Sequence, residues 1–137
     1  MKTMTAVEAH QKIERAAENN SPDIRNVREI AEGKAVRQGD IYIHRVADGH
    51  PHGKEMTHRQ LAVGSNMNAR HVAEAPARVY EGTTAPKDCT TTLLGPCVVS
   101  DLPFTVSHPE HAHVNLPPGH YQVTHQQDAR TLDRVRD

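Results

Sequence analysis

The sequence predicts a mainly β protein: a small barrel or sandwich of seven or eight short strands behind two N-terminal helices. Three observations carry this prediction. Short apolar–polar alternations recur at regular intervals after Gly33, with turn residues between them. Valine is the commonest large apolar residue, and it suits a pleated surface. Aromatics are scarce, with no Trp, one Phe and three Tyr, so the core must be aliphatic. The 137 residues suit one domain with a single core.

The elements follow in order. Residues 3 to 19 read as a helix, with Val7, Ile13, Ala16 and Ala17 as a narrow stripe, stopped by Asn19-Asn20-Ser21-Pro22. A second short helix is predicted from Ser21 to Gly33, with Ile24, Val27, Ile30 and Ala31 at helical spacing. Residues 1–35 thus form a helical arm and 36–137 a β-barrel-like domain. "AVRQGDIYIHRVADG" then alternates as a half-buried strand, with Ile41 and Ile43 on one face and Tyr42 and His44 on the other. Residues 59–64 and 70–75 flank a turn-like Ser65-Asn66-Met67-Asn68, and 77–82 is another short strand. Residues 83–92 read as a loop. Strands follow at 96–101, 104–108, 113–116 and 121–126, with Pro117-Pro118-Gly119 as the last hairpin turn. The polar end, "RTLDRVRD", reads as frayed or as a last edge strand.

Charge and composition narrow the function. The net charge of -1 lacks the basic footprint of a duplex-binding protein. No apolar run approaches a membrane span, and the N-terminus has no signal-peptide core, so a cytoplasmic protein is expected. Cys89 and Cys97 are then expected to be reduced thiols, and their spacing is no zinc knuckle. The common phosphate loops and the G-x-S-x-G elbow are absent.

The eleven histidines are the chemical signal, and five of them fall in "SHPEHAHVNLPPGHYQVTHQ". This half of the chain resembles a family of small bacterial and phage-type proteins. The shared pattern is H-x-E-H-A-x-x-x-L-P-x-G-x-Y-x-V-x-x-Q. It is filled here by His108, Glu110, His111, Ala112, Leu116, Pro117, Gly119, Tyr121, Val123 and Gln126. Gln38-Gly39-Asp40 and the "GSNMNARHVAE" stretch with His71 also match, so the resemblance covers about residues 37 to 136. His113 and His120 depart from the pattern. The resemblance implies a compact, mainly β protein with no assigned reaction, and a role in host–phage conflict.

Read as acid and base, His71, His108 and His111 are candidate catalytic residues for metal-independent phosphodiester cleavage. Glu110 or Asp101 would orient an imidazole. Arg70, Arg59 or Lys54 would hold phosphate oxygens, and Tyr121, or Tyr42 or Tyr80, could stack on a base. The expected partner is a small phosphorylated ligand, a nucleotide or cyclic oligonucleotide signal, with no cofactor. Two alternatives stay open. His108, His111 and His113 could hold a transition metal such as zinc, or His111 and His113 could do so with a third imidazole from His71, His120 or His125. Or the chain is a non-catalytic ligand-sequestering or assembly protein. At least a homodimer is expected in either case.

Overall fold

A computed structural model describes residues 24–62, 71–87, 89 and 93–126. These residues form eleven strands and no helix. In chain order they are β1 (Ile24–Asn26), β2 (Ala35–Gln38), β3 (Ile41–Val46), β4 (His52–Glu55), β5 (Gln60–Ala62) and β6 (His71–Ala73). Then come β7 (Arg78–Gly82), β8 (Leu94–Ser100), β9 (Phe104–Ser107), β10 (His113–Leu116) and β11 (Gly119–His125). One sheet runs β1-β10-β9-β6-β5 and the other β2-β3-β11-β8-β7-β4. The sheets keep separate edges among the described residues, so the structure is two-layered and no closed barrel forms.

The alternation expected for β3 is observed: Ile41 and Ile43 are fully buried, and Tyr42 and His44 are half-buried on the other face. Val79 and Val98, with Tyr121 and Val123, extend that apolar layer along the six-stranded sheet. Leu61, Ala73, Phe104, Val106, Val114 and Leu116 oppose it from the five-stranded sheet. Phe104 meets Tyr121 edge-on at 5.6 Å between ring centroids.

Three sequence expectations are corrected. The helix expected over 21–33 is absent from its described residues, 24–33. Ile24–Asn26 is a strand, paired in parallel with β10, and Val27 N–H donates to Asn115 O at 2.9 Å. Val27 and Ile30 do pack against the core, but from extended backbone. A stripe this thin cannot hold a short helix against the pull of an open strand edge. The helix expected over 3–19 and the C-terminal "RTLDRVRD" lie outside the described residues.

The single strand expected from Val36 onward is a hairpin. Gly39 and Asp40 form its two-residue turn, and Gly39 sits at φ 58°, where glycine is favoured. Pro117-Pro118-Gly119 is not a hairpin turn. β10 and β11 belong to different sheets, so the stretch is a corner between layers. The Tyr121 hydroxyl pins that corner by donating to Pro117 O at 2.7 Å. Residues 52–55, given no element from the sequence, pair with β7 at its outer edge.

Candidate functional site

The β2–β3 turn reaches from the six-stranded sheet to the end of the five-stranded one. Gln38, 2% exposed, donates from Nε2 to Val106 O at 3.0 Å and to Ala112 O at 2.9 Å. Two carbonyl acceptors fix which way the amide points. Its Oε1 therefore faces His71 Nδ1, at 2.7 Å. On the far side of the ring, His71 Nε2 lies 2.8 Å from Asp40 Oδ1. Gly39 lets Gln38 and Asp40 grip one imidazole from both sides.

The other two histidines complete the cluster. The rings of His71 and His108 lie 4.4 Å apart, as do those of His108 and His111. His71 and His111 are nearly parallel at 6.3 Å. His108 is 1% exposed, and its Nδ1 accepts from the backbone N–H of Glu110 (2.9 Å) and of His111 (3.2 Å). That role caps the turn that follows β9, which Pro109 interrupts, and it puts the ring proton on Nε2. His111 is half-buried and is the member nearest the surface. The three candidate catalytic histidines thus meet, although β6 and the β9–β10 connection are distant in the chain.

The remaining expected residues are placed elsewhere. Arg70 lies outside the described residues. Arg59 is exposed and its Nη1 donates to Ala77 O. Lys54 stands on β4, in the opposite sheet from His71. Glu110 and Asp101 are exposed. Tyr121 is fully buried in the core, so its ring faces protein on both sides. Burial raises its hydroxyl above the usual phenol range, against the opposing pull of Arg45. His113 starts β10 opposite Ile24, while His120 and His125 stand at the two ends of β11. Among the described residues, no three His, Cys, Asp or Glu side chains are grouped to share a metal ion.

A second feature had no sequence signature. A cleft of about 620 Å³ opens where the end of β3 meets Glu32 and Gly33 on one side and Pro86, Lys87 and Cys89 on the other. It is the most enclosed of the four clefts described, and its volume suits a small ligand. Arg45, Lys87, His44 and His50 line it, with Glu32 and Cys89 on its walls. Arg45 lies 5.8 Å over the Tyr121 ring, and its buried Nε–H has no hydrogen-bond partner among the described residues. His50 Nε2 faces both Thr84 O (2.9 Å) and Gln122 Oε1 (3.2 Å), so that nitrogen carries a proton. The same Gln122 oxygen accepts from the Cys97 thiol at 2.7 Å, which ties the cleft wall to buried β8 and β11. Burial lowers the pKa of His44, whose Nε2 bonds Thr124 Oγ1 at 2.9 Å. None of the four clefts is lined by His71, His108 or His111.

No helix among the described residues is long and apolar enough to cross a membrane. No curated protein and no solved structure matches the chain. A family does: its match spans residues 37–126, from the strand before the Gln38-Gly39-Asp40 turn to the residue after β11. It holds every side chain of the histidine network, and β1 falls outside it. The chain belongs to this family, which is described as a domain of unknown function (DUF8820).

Proposed function

We propose that the protein binds a small phosphorylated ligand, of nucleotide size, and holds it without turnover. One observation carries this reading: Arg45, Lys87, His44 and His50 converge on the most enclosed cleft, with Glu32 the one carboxylate among its described lining. A guanidinium and an ammonium supply directed donors and charge for phosphate oxygens. His44 is kept neutral by burial, so an anion beside it draws in a proton. Binding therefore tightens as the pH falls.

The histidine network supports turnover less well. Acid–base cleavage needs two groups that each reach the substrate. Both nitrogens of His71 are engaged by Gln38 and Asp40, and Nδ1 of His108 is engaged by the backbone. A second reading keeps cleavage at this cluster, with His111 as base and His108 Nε2–H as acid. It rests on the 4.4 Å approach of those two rings.

The test is a thermal-shift screen of mononucleotides and of cyclic di- and trinucleotides, each mixture then analysed by chromatography. A ligand at a hundred times its dissociation constant adds about 2.7 kcal/mol of stability. The expected ligand stabilises the protein, survives intact, and binds roughly tenfold more weakly to Lys87→Ala. A ligand consumed by the wild type but not by His111→Ala would establish the second reading. Binding unaffected by Lys87→Ala would remove the cleft from consideration.

A further inference from the structure

We propose that the Gln38-Gly39-Asp40 turn is a proton-dependent clasp, which closes one sheet on the other by holding His71 as an imidazolium against the Asp40 carboxylate.

The argument is a count of donors and acceptors. Gln38 must present oxygen to His71, because its nitrogen serves Val106 O and Ala112 O. An amide oxygen only accepts, so His71 Nδ1 carries a proton. Asp40 Oδ1 stands at Nε2, and an ionised carboxylate also only accepts. The ring meets both only with a proton on each nitrogen. The positive charge and its counter-charge are then buried together, with His71 wholly buried and Asp40 2% exposed.

His108 packs on the His71 ring as a neutral imidazole, because its Nδ1 is an acceptor. His111 lies beyond it at 6.3 Å. On the outer side of the turn, Arg37 donates to Gly39 O at 2.8 Å and to Gln126 Oε1 at 2.7 Å. Gln126 N–H in turn donates to Asp40 O at 2.9 Å. Among the described residues, Asp40 is the carboxylate bonded to the ring.

The mechanical consequence follows from which parts are joined. Gln38 and Asp40 belong to the β2–β3 hairpin of one sheet, whereas His71, Val106 and Ala112 belong to the other sheet and the connection that leaves it. When the ring loses one proton, one nitrogen becomes a lone pair facing an oxygen at 2.7 to 2.8 Å. That contact turns from attractive to repulsive, and the turn is released from β6. The release needs no ligand, and it acts at the opposite end of β3 from Arg45.

The experiment is a long-range proton–nitrogen correlation of the histidine rings in the uniformly labelled full chain, with urea unfolding measured beside it. Both His71 nitrogens should read as protonated. Asp40→Asn should convert the ring to one N–H and one lone pair. It should also lower the folded-to-unfolded ratio by roughly ten- to a hundredfold. A wild-type His71 with one bare nitrogen would overturn the proposal, as would an Asp40→Asn variant as stable as the wild type. If Asp40→Asn fails to fold, the wild-type ring reading decides alone.

Discussion

Replacing Gln38 by leucine tests the buried network most directly, because it keeps the volume and removes every hydrogen bond. Gln38 is 2% exposed and serves three partners: Val106 O, Ala112 O and His71 Nδ1. Each buried polar group left without a partner costs about 1–3 kcal/mol. Ala112 is half-buried, so water can recover part of its share. The leucine side chain returns about 1–2 kcal/mol through apolar burial. The net destabilisation is about 2–4 kcal/mol, read by urea unfolding followed by circular dichroism. In a thermal melt this is a fall of roughly 10 °C for a domain of this size. The matched control is Gln126→Leu, which removes only the exposed bond from Arg37 and should cost under about 0.5 kcal/mol. Equal losses from the two variants would refute the reasoning, since it rests on burial and not on bond count.

Two further outcomes are expected elsewhere in the fold. Gly82→Ala would drive a methyl group into the Gly95 carbonyl oxygen, which is backbone and cannot turn aside; about 1–3 kcal/mol should be lost by the same urea assay. Burial pushes the Cys97 thiol from 9.0 up to about 11, so it is neutral in the fold and ionises more readily when unfolded. Stability should therefore decline as pH rises from about 9 to about 11, the decline should vanish in Cys97→Ala, and a thiol reagent at pH 8 should modify Cys89 well before Cys97.

The sequence spoke clearly where a period or a local motif carried the signal. Alternation located β3, and short apolar runs located β7 to β10 to within a few residues. Three histidines were singled out, and the structure brings them together. Their closest partners were missed. Gln38 and Asp40 had been set within one continuous strand, and only Gly39 hinted at the turn that swings both side chains onto His71. The β10–β11 corner was misjudged because Pro-Pro-Gly chemistry reports that the chain bends, not which sheet it enters. The helix expected around Val27 failed because its stripe was too thin: Ile24 and Ala31 stand exposed, and only Val27 and Ile30 reach the core. The cleft was invisible, since Arg45, His50 and Lys87 come from segments related only by tertiary packing.

The clasp also governs how the chain reaches its fold. Its bonds join residues 31, 33, 68 and 74 positions apart in sequence, so large loops must close before any of them forms. A β topology dominated by such distant pairings folds in milliseconds to seconds, not microseconds. Until the β9–β10 connection arrives, Gln38 and Asp40 are solvated polar groups on a free hairpin and gain nothing by holding their places. The network then contributes late, after the apolar layers have met. Its loss should speed unfolding far more than it slows folding.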